Sequence, residues 1–237
     1  MKQGSVESVI QLFASGGECI VKWDKRVVAL ILAVIIVCPL FAVPVQAQEQ
    51  TILDKLVVLP NGDYNRSEAA AMKQRLEKFP TSVLNALYSK GVKIKLTQGA
   101  ITDEPELAYL KGVVPRGWEG TGLTWDDVPG VSERVVAVRI GYSEKGKGHN
   151  SLNLEIHETL HAVDRLVFNE ISGTEEFNTI FNKEASVKYK GDGYVSTYPT
   201  EYFAEAASLY LFSDTTRDDL KSSMPLTYEF MAKLFAS

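Results

Sequence analysis

The protein has 237 residues, of which 45% are hydrophobic and 23% are charged, a composition typical of a folded globular chain. Its formal net charge at pH 7 is −5. An acidic chain of this kind lacks the basic surface that binds nucleic acid, so we expect no nucleic-acid partner.

The first 47 residues are organised like a secretory signal peptide. A positive cluster at residues 22–26 precedes a 17-residue apolar run, and small residues at Val45 and Ala47 are spaced as in a cleavage site. We therefore predict cleavage after Ala47, secretion, and no stable membrane association after cleavage. About twenty residues precede the positive cluster, so the true translation start is expected near residue 21.

Two alternatives remain open for this leader. One is an uncleaved membrane anchor, although the apolar run is short for a spanning helix and contains Pro39. The other is a lipoprotein signal at Cys38, although Val37 stands where a small residue is expected. Both cysteines, Cys19 and Cys38, lie in the leader, so the chain after residue 47 has none and must be stabilised by its core without disulfides.

The segment after the leader shows a pattern of strands and helices that favours an α/β lobe with a small mixed sheet, over residues 48–150. Apolar or alternating runs predict the strands, and runs of helix-forming residues between turn signals predict the helices. In chain order, the predicted elements are a buried strand at 54–60, helices at 67–79 and 81–91, a strand at 92–97 and a strand at 132–143.

A long loop is predicted between the last two of these strands. Residues 112–130 hold five glycines, two prolines and two tryptophans, a composition that excludes regular structure. Long loops in compact domains are usually functional. Trp118 and Trp125 are therefore predicted either to fill the core or to form a wall that faces a ligand.

Residues 151–237 are predicted to form an α-helical lobe that completes one catalytic domain. Its first helix, from Ser151 to Asn169, carries two of the chain's three histidines, His157 and His161, in the stretch NLEIHETLHAVD. On a helix this spacing places both imidazoles on one face, as two corners of a tetrahedral zinc site. Glu158 lies beside them and can reach a water on the metal as a general base.

Two surface histidines without a function are the alternative interpretation of this motif. A buried polar triplet is costly unless it is used, and the flanking residues are apolar. The opposite face of the helix holds the apolar side chains expected to pack it into the core. These are Leu154, Leu160, Val163 and Val167.

A catalytic zinc site needs a third protein ligand and an open position for water. His149 lies in a Gly/Lys turn and is expected to be a neutral loop residue. The segment PTEYFAEAASLYLF offers Glu201 and Glu205, four residues apart on one helix face. Glu205 lies among apolar residues in mid-helix, whereas the helix dipole alone accounts for Glu201 in the first turn. We therefore predict one Zn²⁺ per chain, bound by His157, His161 and Glu205, with Glu201 supporting the ligands.

HETLH followed by TYPTEYFAEA resembles the anthrax-lethal-factor-like zincins, and the match to the Pro-Pro endopeptidases in that group is closer. It runs through LKGVVPRGWEGTG, TWDDVPG, GKGH, NLEIHETLHAVD and YPTEYFAE, and it covers residues 53–237. The resemblance implies an α+β zincin-like fold, in which the HExxH helix lies between an N-terminal α/β lobe and a C-terminal all-α lobe.

The resemblance also implies roles for individual residues. Tyr198, seven residues before Glu205, matches the family's catalytic tyrosine. Trp118 matches a tryptophan beside the substrate cleft, and Arg116 is expected to bind substrate with it. One segment departs from the family, because SERV stands where other members carry a loop of the Gly-Gly-Ser-Thr type. We expect this segment to contact the residues that flank the cleaved bond; it consists of Ser132, Glu133, Arg134 and Val135.

The implied activity is that of a secreted zinc metalloendopeptidase that hydrolyses Pro-Pro bonds. The implied substrates are proline-rich linkers of surface or adhesion proteins of the same bacterium. A stiff, proline-rich segment loses little entropy on binding and suits an aromatic wall such as Trp118. Two other functions remain open from the sequence. They are an inactive zincin-fold binding module and a broader secreted zinc protease or toxin component.

Overall fold

The computed structural model describes residues 50–236, and the predicted leader and its cleavage site lie outside them. The described residues form one compact unit. The unit combines a small mixed sheet with a helical C-terminal half, so the predicted α+β zincin-like class is confirmed. Among the described residues, no helix has the length and apolar character that crossing a membrane requires.

The described elements follow the chain in an order that changes from mixed to helical after residue 150. The first half contains α1 (Ile52–Leu56), β1 (Val57–Val58), α2 (Arg66–Leu76), α3 (Thr81–Ser89), β2 (Ile94–Thr97), β3 (Gly130–Ser132) and β4 (Val136–Arg139). The second half contains α4 (Leu154–Ala162), α5 (Glu175–Lys188), α6 (Pro199–Phe212), α7 (Asp214–Ser223) and α8 (Pro225–Phe235). A π-helical turn, Val163–Val167, continues α4.

The four strands form one sheet in the order β1-β2-β4-β3. The first three of these pair in parallel, with Ile94 opposite Val57 on one side and opposite Val136 on the other. Strand β3 runs antiparallel to β4, with Gly130 opposite Val138, and it forms one edge of the sheet. This edge strand packs against α4, which carries the HExxH motif.

The predicted strand at 54–60 is largely wrong, because its first three residues belong to helix α1 and its last two to no regular element. Thr51 caps this helix by accepting a hydrogen bond from the N–H of Asp54, and the Asp54 carboxylate accepts one from the N–H of Thr51. This reciprocal capping box stabilises a short helix in a segment whose valines alone favour a strand. The strand that remains is the two-residue β1, Val57–Val58.

The single strand predicted at 132–143 is only partly correct, because β4 covers Val136–Arg139 and the residues on either side do not continue it. The chain forms β3, turns tightly through residues 133–135 and returns as β4, with the N–H of Glu133 donating to the carbonyl of Val135. Charged Glu133 and Arg134 are exposed in the turn, where the apolar run on either side is interrupted. Both strands pack against the HExxH helix, and Gly130–Ser132 is the one at the edge of the sheet.

Helix α4 packs into the core on the face predicted for it. Leu154, Leu160 and Val163 are buried, and Val167 is partly buried against the same apolar cluster. This cluster is continuous from α1 to α8 and thus includes residues from both predicted lobes.

An ion pair also crosses the predicted lobe boundary. The guanidinium of Arg75 in α2 donates to the carboxylate of Glu155, which is fully buried in the first turn of α4. The same guanidinium lies 2.7 Å from Glu68 and from Ser143. Removing one partner of such a buried pair leaves an uncompensated charge, so the pair holds α2 and α4 together.

Candidate active site

Two polar contacts position the HExxH segment within the fold. Helix α4 begins after Asn153, whose side-chain oxygen accepts a hydrogen bond from the N–H of Ile156 at 3.1 Å. This cap satisfies one of the free N–H groups at the helix N-terminus. The N–H of Leu154 donates to the carbonyl of Ser143 at 3.0 Å, which ties the same end of the helix to the preceding loop. The helix then contacts α6 on the side of His157 and His161, and β3 on the side of Glu158.

Three side-chain donor atoms converge where α4 faces α6. The Nε2 atoms of His157 and His161 are 3.1 Å apart, and Oε2 of Glu201 lies 3.3 Å from each of them. Among the described residues, these three form the cluster of ligand-type side chains close enough to share one metal ion. We call this arrangement the donor triangle.

The dimensions of the donor triangle fit a tetrahedral metal site. Ligands about 2.0–2.1 Å from a tetrahedral zinc ion stand roughly 3.3 Å from one another. The measured separations of 3.1 and 3.3 Å match this spacing. Two imidazoles and one carboxylate leave a fourth position open, as in a catalytic site rather than a structural one.

The two glutamates of α6 lie in the opposite arrangement to the one predicted from the sequence. Glu201, expected to support the ligands, completes the donor triangle. Glu205, expected to bind the metal, contacts His157 from the far side: its Oε2 lies 3.4 Å from Nδ1 of His157, and it also accepts from the N–H of Leu152. Residues four apart share a helix face, so their spacing cannot tell which of them reaches the histidines.

The contact between Glu205 and His157 orients the imidazole. A carboxylate on Nδ1 fixes the ring and its tautomer, so that Nε2 points into the donor triangle. Both glutamates are buried. Glu201 therefore supplies a carboxylate to the donor triangle, and Glu205 supports His157 from behind it.

The charges of the donor triangle stabilise one another. Burial alone would raise the pKa of Glu201, but hydrogen bonds with His157 and His161 hold it well below its usual range. Burial alone would lower the pKa of His157, but hydrogen bonds with Glu201 and Glu205 raise it to about 10. The buried carboxylates that keep a proton on His157 also attract a divalent cation, which displaces that proton on binding.

Glu158 lies next to the donor triangle without belonging to it. Its side chain faces β3, where it approaches Gly130, and it lines the large cleft of the molecule. Burial raises the pKa of Glu158. A carboxylate with a raised pKa accepts a proton more readily and suits general base catalysis near neutral pH.

The cleft above the donor triangle has a volume of about 1090 Å³. Four of the residues predicted to bind substrate line it: Arg116, Trp118, Ser132 and Glu133. Trp118 is half-buried on its wall. Trp125 lines the cleft and also packs against a second apolar cluster, which consists of Ile101, Leu107, Leu110, Val131, Val135 and Ala137. The loop at 112–130 thus supplies one tryptophan to the cleft wall and one to both the wall and the core.

The other two predicted substrate-binding residues do not line the cleft. The Arg134 guanidinium lies over the ring of Tyr109, 4.8 Å from its centre, and Val135 is buried in the second apolar cluster. Arg165, from the turn that continues α4, donates to the carbonyls of Ser132 and Glu133 at 3.1 and 2.8 Å. The segment therefore faces the cleft through its first half only.

Tyr198 does not line the cleft either. It caps the start of α6, and its ring packs against the Arg116 guanidinium, 4.0 Å from the ring centre, and against Tyr194. Tyr194, which was not predicted from the sequence, does line the cleft and interacts with Arg116 and Glu201. The sequence does contain a signal for Tyr194. It precedes Glu201 by seven residues, and Tyr198 precedes Glu205 by the same number.

His149 lies at the cleft but outside the donor triangle. Its Nε2 lies 2.7 Å from the carbonyl of Tyr142, and its Nδ1 lies 2.6 Å from Oγ of Ser151. A carbonyl can only accept, so Nε2 donates and Nδ1 accepts from the serine. Burial lowers the pKa of His149, which agrees with the neutral loop histidine expected from the sequence.

The chain matches the family described as anthrax toxin lethal factor, N- and C-terminal domain, over residues 44–234. It is 89% identical over 216 residues to a Pro-Pro endopeptidase of Paenibacillus alvei, covering 91% of this chain and 100% of that relative. The chain belongs to the Pro-Pro endopeptidase family.

Two further comparisons agree with this membership of the Pro-Pro endopeptidases. A Clostridioides difficile Pro-Pro endopeptidase is 47% identical over 213 residues, covering 86% of this chain and 96% of the relative. The solved structure of the Pro-Pro endopeptidase PPEP-2 from Paenibacillus alvei superposes with a TM-score of 0.76 at 90% identity. It covers 78% of this chain and 100% of the solved one. This member of the family is a metalloendopeptidase, and the alternative of an inactive binding module is not favoured.

Proposed function

We propose that the protein uses a zinc ion to hydrolyse the peptide bond between two prolines in a proline-rich protein. The observation that carries this proposal is the donor triangle of His157, His161 and Glu201 beside Glu158, at the floor of an open cleft. Family membership supports the choice of bond, because both curated relatives are named Pro-Pro endopeptidases.

Each residue of the site has a separate role in the proposed hydrolysis. When bound, zinc lowers the pKa of a water toward neutrality and polarises a carbonyl oxygen. The Glu158 carboxylate takes a proton from the attacking water and passes it to the departing proline nitrogen, which leaves as a secondary amine. Glu205 keeps the imidazole of His157 oriented throughout.

Tyr194 is the residue best placed to donate to the oxyanion that develops on the substrate carbonyl. Burial, together with the charge of Glu201, raises its pKa to about 12, so its hydroxyl stays protonated at neutral pH. Gly117, with φ of +81°, packs its backbone onto the Tyr194 ring: a Cβ there would lie 3.2 Å from Cε2. The loop at 112–130 thereby limits the movement of the tyrosine.

A cleft built for proline differs from that of an ordinary endopeptidase. Extended substrates usually pair their N–H groups with an edge strand, but a proline has none to offer. Here the carbonyl of Ser132 at the edge already accepts from Arg165. Trp118 offers an apolar ring on the wall instead, which suits the face of a pyrrolidine.

The proposal is tested with a library of peptides that carry fixed Pro-Pro cores, read by mass spectrometry after incubation with the zinc-loaded enzyme. We expect cleavage between the two prolines and none when either is replaced by alanine. Cleavage that does not require proline on both sides of the bond would show a broader protease.

Replacing Tyr194 by phenylalanine is expected to lower kcat by about 10²–10³-fold with a small change in KM, because the hydroxyl bond strengthens only in the transition state. Tyr198→Phe is the matched comparison, since its ring packs behind Arg116 and Tyr194 and does not itself line the cleft. Steady-state kinetics on one Pro-Pro peptide separate the two parameters. A loss confined to Tyr198→Phe would restore the tyrosine assignment made from the sequence.

The segment Ser132–Arg134 is expected to influence the residue just upstream of the Pro-Pro pair. Bulky, polar Glu133 at the cleft should disfavour a polar residue there and favour an apolar one or a proline. We would replace Ser132, Glu133 and Arg134 by Gly-Gly-Ser and keep Val135, whose side chain belongs to the core. Values of kcat/KM on peptides x-x-Pro-Pro-x-Pro that differ only upstream are then ranked for both enzymes. If the order of the peptides is the same for both enzymes, the segment does not determine which upstream residue is preferred.

The leader supports secretion of the mature enzyme as part of this proposal. A secreted Pro-Pro endopeptidase would meet proline-rich linkers of surface or adhesion proteins of its own bacterium. N-terminal sequencing of the protein from culture medium is expected to begin at Gln48, directly after the predicted cleavage site at Ala47.

A further inference from the structure

Gly130 opens the edge strand β3 and is buried at the cleft. Ten other glycines of the described chain have positive φ, but Gly130 does not, so its backbone conformation is open to any residue. A glycine inside a strand weakens it unless the missing side chain is itself required. The position therefore uses the absence of a Cβ rather than the flexibility of glycine.

The space above Gly130 is filled by the face of α4 that carries Glu158. A Cβ at this position would lie 3.0 Å from both Cγ and Oε1 of Glu158. It would also lie 3.0 Å from Cδ1 of Leu154, one helical turn earlier. Contacts this short are tighter than nine in ten that real Cβ atoms make, so a methyl group would displace its neighbours by a few tenths of an ångström.

The displacement would fall on Glu158 rather than on the donor triangle. His157 and His161 face α6, where they meet Glu201, whereas Leu154 and Glu158 face β3. Leu154 is 2% exposed and packed in the core, so it has little freedom to yield. The Glu158 carboxylate lines the open cleft and is the group free to move.

We propose that Gly130 is a positioning residue for catalysis: its missing side chain lets the edge strand hold the Glu158 carboxylate beside the donor triangle. This proposal rests on the role of Glu158 as general base. Proton transfer needs the base within hydrogen-bonding distance of the attacking water, and a small displacement of a reacting group lowers the rate strongly. The edge strand of this enzyme thus sets the position of the base as well as forming the wall of the cleft.

The test compares Gly130→Ala with Gly99→Ala. Gly99 is exposed, lies outside the cleft lining and has no positive φ. A Cβ there would meet only Oδ2 of the exposed Asp103 side chain, which can move aside, so Gly99 serves as the control. Gly130→Ala is expected to lower kcat on a Pro-Pro peptide by about tenfold, with KM and zinc content unchanged. Gly99→Ala should retain wild-type values. A kcat of Gly130→Ala within twofold of wild type, or an effect on KM alone, overturns the proposal.

A stability measurement tests the same contact without activity. Gly130→Ala is expected to lower Tm by about 5 °C in the wild-type chain and by clearly less in a Glu158→Ala chain, where the clashing side chain is gone. Equal losses in the two backgrounds overturn the proposal. If Gly130→Ala does not fold, the proposal requires that the double variant does.

These measurements separate the inference from the proposed function. If the wild type does not cleave Pro-Pro peptides, the proposed function fails, while the Tm comparison still reports on the contact between Gly130 and Glu158. If the wild type cleaves but Gly130→Ala cleaves equally well, only the positioning role fails.

Discussion

Replacing Glu158 by glutamine is expected to reduce turnover by about 10²–10⁴-fold while the metal stays bound, because the side chain moves protons but lies outside the donor triangle. Glutamine keeps the shape of glutamate and loses only the basic oxygen. The measurements are kcat on a Pro-Pro peptide and zinc content of the same preparation.

The control for this substitution is Glu176→Gln, which makes the same chemical change at an exposed position in the first turn of α5. It should match the wild type in both measurements. A Glu158→Gln enzyme that cleaves at a near wild-type rate would contradict the mechanism. Loss of zinc together with activity would instead make Glu158 a structural part of the metal site.

Removing Glu201 is expected to abolish zinc binding, whereas removing Glu205 should weaken it by about 10–100-fold. Glu201 places an oxygen 3.3 Å from both histidine Nε2 atoms, and Glu205 acts only through Nδ1 of His157. Glu201→Ala and Glu205→Ala are matched, since both remove a buried carboxylate from the same helix. Zinc affinity is measured by competition with a chromophoric chelator.

The opposite order of affinities would support the assignment made from the sequence, with Glu205 as the ligand. His149→Ala adds a second comparison, because His149 lies at the cleft but outside the donor triangle. Its zinc content should equal that of the wild type. A loss there would mean that the metal site extends further than the triangle.

The HExxH helix could be predicted from the sequence because all of its signals are local. The spacing of His157 and His161, the adjacent Glu158 and the apolar opposite face lie within one short segment, and helical periodicity fixes their relative directions. Asn153 stands in the N-cap position, so even the helix start follows from nearby residues.

The third donor could not be predicted in the same way. Periodicity gives the face of α6 that carries Glu201 and Glu205, but the position of α6 along α4 depends on tertiary packing. The sequence repeats the ambiguity before the helix, because Tyr194 and Tyr198 bear the same seven-residue relation to the two glutamates. Choosing Glu205 as the metal ligand therefore leads to Tyr198 as the catalytic tyrosine, whereas Glu201 points to Tyr194.

The strand errors have a different physical origin. Both segments are rich in valine, and β propensity is weaker than the local hydrogen bonds that override it. Thr51 and Asp54 form a capping box that starts helix α1, which takes the first three residues of one segment, and this spacing is recognisable in the sequence. At residues 133–135 the turn depends on pairing between β3 and β4, which no short-range pattern specifies.

The ion pair of Arg75 with Glu155 has a consequence for how substrate enters. Because this pair and a continuous apolar core both cross the predicted boundary at residue 150, the two halves have no hinge there and should not open like a clamp. A polypeptide substrate then binds in a cleft that is already formed and open. Any gating falls to the glycine-rich wall at 112–129, whose ends are held by Asp126 through Thr102 and the N–H of Gly112.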